Sequence, residues 1–184
     1  ATAVGAIPQR TALRDNFCWS SSNDPYRLAQ VVRACKGLKD YTLAFGTPFI
    51  SGKDSMFNDY RGKINETDIK ISVPPTLLIS ALGIVPDVRK VATMDVKQPG
   101  NRIYILGPTR DETGGSEYYA MMGAQQGKAF IGNKVPQVEA HTALRTYRKL
   151  HRAIREGAVA AAHDLSDGGL GVAVAEMAFA GGYG

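Results

Sequence analysis

Residues 159–177 read V-A-A-A-H-D-L-S-D-G-G-L-G-V-A-V-A-E-M, and they constrain the fold more than any other stretch. A short apolar run, 159–162, stops abruptly at His163, Asp164, Ser166 and Asp167. Two glycines follow. Leu170, Ala173, Val174, Met177 and Ala178 then recur at the spacing of one helix face. The pattern reads as strand, polar turn, helix, with Ser166 or Asp167 expected to cap the helix by accepting from its free amides. Gly168 and Gly169 let backbone come close to a ligand or a neighbouring strand. Asp164 offers oxygen to a hard cation, and Ser166 offers a hydroxyl to a phosphate oxygen. A capped helix after a buried strand accounts for the same residues, and spacing alone leaves both readings open.

At 184 residues the chain is long enough for one domain or two small ones. The formal charge of +5 suits an anionic ligand and is equally compatible with weak nucleic-acid contact. The basic residues are scattered, without helix-turn-helix or finger spacing, so no nucleic-acid partner is expected. Cys18 and Cys35 are too few for a disulfide framework and have no CxxC spacing, which suits a reduced, cytoplasmic compartment. No apolar run reaches the roughly 18 residues of a membrane span, and none is expected.

Along the chain, residues 11–19 read as a strand interrupted by Asp15 and Asn16, a turn-forming pair. Asp24 and Pro25 are a helix start; Leu28, Val31, Val32 and Cys35 form one apolar stripe, and Gly37 is expected to end it. That helix is expected to cover a sheet. Residues 48–59 (P-F-I-S-G-K-D-S-M-F-N-D) hold a second polar cluster: Gly52 for a tight backbone, then Lys53, Asp54 and Ser55. A phosphate site wants this mixture of amides, an ammonium and a hydroxyl. The GxxxxGK[ST] spacing of a Walker A loop is absent.

Residues 61–63 suggest a turn, and Ile69, Ile71 and Val73 alternate as in a half-buried strand. Residues 76–85 read as a central strand. Residues 97–101 (K-Q-P-G-N) are the clearest linker, dividing a domain over 1–98 from another over 101–184. Beyond it a short strand is expected at 102–106, a helix opening at Gly114-Gly115-Ser116-Glu117, and a long amphipathic helix over 139–156. Ser116 is a helix cap and a minor anion-site candidate. His141 and His151 are expected at the surface without partners.

The run H-D-L-S-D-G-G-L-G-V-A-V-A-E-M-A-F-A-G resembles a signature of the synthetase part of the phosphoribosylformylglycinamidine synthase family, within the aminoimidazole ribonucleotide synthetase superfamily. The resemblance covers essentially the whole chain and is strongest over 12–19, 48–59 and 162–181. The long, single-chain form of the family carries a G-K-D-S-M like that at 52–56. The shorter form carries G-N-x-S, in which glycine meets nucleotide, asparagine holds magnesium and serine meets substrate. Gly52 and Ser55 match, whereas Lys53 departs, because an ammonium cannot coordinate magnesium. Lys53 is assigned to phosphate or to a pair with Asp54.

The resemblance implies an α+β region followed by an α/β region. Residues 1–98 would form a mostly antiparallel sheet plus helix that pairs edge to edge into a barrel-like dimer or pseudo-dimer. Residues 101–184 would open the second domain, and the chain as a whole is expected to be a fragment. It further implies ATP and Mg2+ as cofactors, Asp15, Gly52 and Ser166 at nucleotide, Ser55 and Lys53 at substrate phosphate, and Asp164 at metal. The reaction is ATP-dependent conversion of formylglycinamide ribonucleotide to its amidine, with ammonia from a glutaminase domain or subunit. The family's catalytic histidine has no matched position here, so no catalytic residue is assigned. In the long form, the counterparts of Asp164 and Ser166 serve a second, structural nucleotide site. Two alternatives stand beside this reading. One is a non-catalytic nucleotide-binding and dimerisation half that completes a site elsewhere. The other is another superfamily member, such as aminoimidazole ribonucleotide synthetase or selenophosphate synthetase, against which G-K-D-S-M argues.

Overall fold

The computed structural model describes residues 1–183. Two short 3-10 turns, Thr2–Val4 and Pro8–Arg10, lead into five strands: β1 (Thr11–Cys18), β2 (Phe49–Ser55), β3 (Asp59–Ile64), β4 (Thr67–Ser72) and β5 (Thr76–Gly83). Four helices accompany them: α1 (Pro25–Phe45), α2 (Glu117–Gln125), α3 (Ala140–Arg155) and α4 (Gly169–Gly181).

β1 is the centre of a three-stranded sheet, parallel to β2 and antiparallel to β5. The parallel pair requires a crossover, which α1 provides. The segment expected to be central, 76–85, is therefore an edge strand, and its Leu78 and Leu82 are exposed. β3 and β4 form a separate hairpin whose turn falls at Asn65 and Glu66, both at positive φ. That left-handed pair suits the twist of a tight hairpin. Residues 61–63 are not the turn but lie inside β3, where the Tyr60 ring folds across the bare Cα of Gly62.

α1 begins as expected, with Asp24 accepting from Tyr26 N at 2.9 Å and Pro25 in the first turn. It runs past Gly37 to Gly46, which ends it at φ 67°. A mid-helix glycine costs only about 1 kcal/mol, and packing beyond it offsets that loss. The Phe45 and Tyr147 rings stack 6.1 Å apart, and Tyr41 Oη donates to Val138 O at 2.8 Å. α1 thus packs chiefly on α3 rather than covering the sheet. Leu28, Val32 and Cys35, the stripe expected to be buried, stay exposed.

α3 has the predicted span. Glu139 caps it through the amides of His141 and Thr142, and Ile154 is buried beneath it. His151, expected to lack a partner, is half-buried with Nδ1 3.1 Å from Gly5 O. α2 is capped by Ser116, which accepts from Tyr119 N.

The second region departs most from expectation. Residues 102–106 form no ladder among the described residues, and Ile103, Tyr104, Ile105 and Leu106 are all exposed. The run 159–162 makes a single parallel bridge, Ala161 to Thr93, with Ala162 N donating to Thr93 O at 3.1 Å. A strand exists only where a neighbouring backbone satisfies its amides and carbonyls, and these two segments find little or none. The architecture is α+β, with Phe17, Trp19, Ile154 and a few alanines as its buried apolar residues.

Candidate functional site

The residues singled out from the sequence fall into two clusters. The first lies on the sheet. Register places Asp15 beside Gly52 and Asn16 beside Lys53. A Cβ placed on Gly52 would lie 2.9 Å from Asp15 Cγ, so the carboxylate covers the space that any larger residue at 52 would need. Glycine is required here for close approach rather than for backbone angle.

Side chains alternate across a strand, so Lys53 and Ser55 project to the opposite face from Asp15. The ammonium of Lys53 donates to Ser55 Oγ, not to Asp54, which lies on the other face. Arg14 and Asn16 share the Lys53 face, as cross-strand partners of Ser51 and Lys53. A shallow depression of about 450 Å³ is lined by Arg14, Asp15, Asn16, Lys53, Leu78 and Ser80. Arg14 and Lys53 form no salt bridge among the described residues, which leaves two cations open to an anion. Sequence reading missed Arg14, Asn16 and Ser80. They become visible only once the register of β1 against β2 and β5 is known.

The second cluster lies before α4. Ser166 Oγ donates to Asp164 Oδ2 at 2.6 Å, and this bond is the largest cause holding the Asp164 carboxyl below its usual range. His163 is mostly covered, with Nε2 2.7 Å from Glu176 Oε2 and Nδ1 3.4 Å from Asp164 Oδ1. The Glu176 carboxylate is the main reason the imidazole pKa is raised. The expected cap is absent: α4 starts behind Gly168 at φ 82° with no side-chain bond. Ser166 instead receives Gly169 N on its carbonyl and directs its hydroxyl to Asp164. His163 and Glu176 were not assigned from sequence, since they lie thirteen positions apart.

Over residues 98–184 the chain matches the family described as AIR synthase related protein, C-terminal domain. The chain is also 32% identical over 177 residues to the phosphoribosylformylglycinamidine synthase subunit PurL of Limosilactobacillus reuteri, covering 96% of this chain. It is 33% identical over 180 residues to the subunit of the same name from Allorhizobium ampelinum, covering 97%. The chain spans 22% of the length of each of these relatives.

The matched segment, residues 98–184, contains the whole second cluster, whereas the sheet cluster precedes it. No hydrogen bond or salt bridge joins the two clusters among the described residues. Nor do those residues include a group of three or more His, Cys, Asp or Glu arranged to hold a metal ion. Asp164 is a lone carboxylate here, with Ser166 Oγ against one oxygen and the His163 ring against the other. Ser116 does not fit an anion site as well: its hydroxyl donates to Thr113 O at 2.6 Å while capping α2. No helix among the described residues is long and apolar enough to cross a membrane.

Proposed function

We propose that this chain is a segment of the ATP-dependent synthetase that makes formylglycinamidine ribonucleotide in purine biosynthesis. The observation that carries the reading is similarity to PurL subunits over nearly the whole chain. In the proposed reaction the amide oxygen of formylglycinamide ribonucleotide attacks the γ-phosphorus of ATP and ADP leaves. Ammonia then adds to the activated carbon and phosphate leaves, giving the amidine. Such chemistry depends on in-line positioning and on neutralising charge at the transferred phosphoryl group.

Within that reaction, Asp15 and Gly52 are assigned to nucleotide, Lys53 and Ser55 to substrate phosphate, Ser166 to nucleotide and Asp164 to Mg2+. The cation, held by Asp164, would neutralise phosphate charge. Because the sheet separates Asp15 and Gly52 from Lys53 and Ser55, one ligand reaching both pairs must pass around the sheet edge. The alternative is two ligands. The division into 1–98 and 101–184, a cytoplasmic setting and pairing of the first region through a sheet edge belong to the same proposal. So do a remaining synthetase half and a glutaminase domain or subunit as partners. The free edges of β2 and β5 are compatible with such pairing.

A second reading is a nucleotide-binding module that does no chemistry itself. The lack of any polar link between the sheet cluster and Asp164 favours it. Equilibrium binding of Mg2+-ATP against a short RNA over a salt series tests the shared core of both readings. Saturable ATP binding with little RNA affinity is expected. RNA binding whose affinity falls steeply with salt, without ATP binding, would overturn them.

A further inference from the structure

Register puts Arg14 and Asn16 of β1 on one face of the sheet, beside Lys53 and Ser55 of β2 and Ser80 of β5. No carboxylate of these three strands shares that face: Asp15 covers Gly52 on the other side, and Asp54 alternates away from Lys53. Arg14 is the diagonal neighbour of Lys53, two residues along β1 from the Lys53 partner Asn16. Strand spacing and rise put their Cα atoms on the order of 8 Å apart, a span that two long side chains can close around one small anion. Neither cation has a salt-bridge partner among the described residues. The smaller groups are turned to donate. Asn16 Oδ1 accepts from Cys18 Sγ at 3.7 Å, which leaves its amide nitrogen as a donor. Ser55 Oγ accepts from the Lys53 ammonium, which leaves the hydroxyl proton to donate. Arg14, Asn16, Lys53 and Ser80 line the depression of about 450 Å³.

We infer that Arg14 and Lys53 form a two-cation cradle for one phosphate monoester, and that this group binds there without a divalent cation. The inference rests on the proposed assignment of Lys53 and Ser55 to substrate phosphate and adds Arg14 to it. A phosphate monoester carries a charge of about −1.5 to −2 at pH 7, which a guanidinium and an ammonium neutralise directly. The guanidinium presents a fork to two phosphate oxygens, and the ammonium acts as a point charge. A divalent ion at this place would face two like charges with no carboxylate on the same face to offset them. The competing description is a pair of solvated surface cations that raise the general positive potential and hold nothing.

The test is calorimetric titration of the full chain with ribose 5-phosphate, in EDTA and again in Mg2+, beside a titration with Mg2+-ATP. The native chain is expected to bind ribose 5-phosphate saturably, with the same affinity in EDTA as in Mg2+. Arg14→Met and Lys53→Met should each weaken that binding by about 10-fold, the size of a lost charge-assisted hydrogen bond. Lys36→Met, which removes an exposed cation on α1, should leave it unchanged. A loss in Lys36→Met equal to that in Lys53→Met overturns the cradle in favour of general potential. Native affinity in either Arg14→Met or Lys53→Met, or binding that requires Mg2+, also overturns it, while binding of Mg2+-ATP leaves the proposed function standing. Binding of neither ribose 5-phosphate nor Mg2+-ATP overturns both. If Arg14→Met does not fold, Arg14→Gln decides in its place: a several-fold loss supports the cradle and native affinity overturns it.

Discussion

Asp15 and Gly52 are cross-strand partners on β1 and β2, and the Asp15 carboxylate lies over the Cα of Gly52. Two residues far apart in sequence, each assigned to nucleotide by resemblance, are thereby in one place. The contact makes a sharp prediction. Gly52→Ala should destabilise the fold by about 1–3 kcal/mol, as overpacking does. Asp15→Ala should relieve the clash, so the double mutant is more stable than the sum of the singles requires. Urea melts of the four proteins measure this, and strict additivity would contradict the contact.

Gly37 and Gly46 on α1 should respond in opposite directions. Gly37 lies in helical backbone with nothing within 4 Å of where an added methyl would sit, so Gly37→Ala should stabilise by about 0.5–1 kcal/mol. Gly46 ends the helix at φ 67°, a conformation that strains any residue with a Cβ. Gly46→Ala should lower the melting temperature despite the open space around it.

His163 gives a pH signature. Its folded pKa is raised, chiefly by Glu176, so protonation favours the folded state. The stabilisation is full below the unfolded value of about 6.5 and is lost as pH rises through the folded value. Imidazole shifts followed by NMR should titrate above the range of a free histidine. Glu176→Gln should move that titration down and flatten stability against pH across the same window.

The long helices were legible because their signals are local. Asp24-Pro25 and Glu139 mark starts, and the 139–156 periodicity gives α3 nearly to the residue. Gly37 misled because a glycine at mid-helix is a small cost that packing of Phe45 on Tyr147 overrides. Residues 102–106 and 159–162 misled in the opposite sense: apolar content suggests strands, but ladders need partners that local sequence does not contain. At the site, residue types were readable from the motifs. Which face of the sheet each residue occupies was not, since that depends on alternation and register fixed by the pairing of β1 with β2. The His163–Glu176 bond was invisible for the same reason, being a contact made only when α4 folds back on the loop.

The uncovered apolar faces should make the chain associate. Leu78 and Leu82 on β5, Leu28 and Val32 on α1, and 103–106 all meet solvent. Leu78 and Leu82 share one face of an edge strand, and free strand edges invite pairing. Light scattering across a wide concentration range should show mass rising with concentration, and Leu78→Lys with Leu82→Lys should suppress it. A constant monomer mass would contradict the account.

Asp164→Asn tests the proposal that Asp164 holds a cation beside a nucleotide phosphate. The change removes one negative charge with little change of shape, and asparagine can still accept from Ser166 Oγ. The measurement is nucleotide retained after gel filtration, with and without chelator, beside a melting curve. A sharp fall in magnesium-dependent nucleotide with the fold retained is the predicted result, and native nucleotide content in the mutant would contradict it.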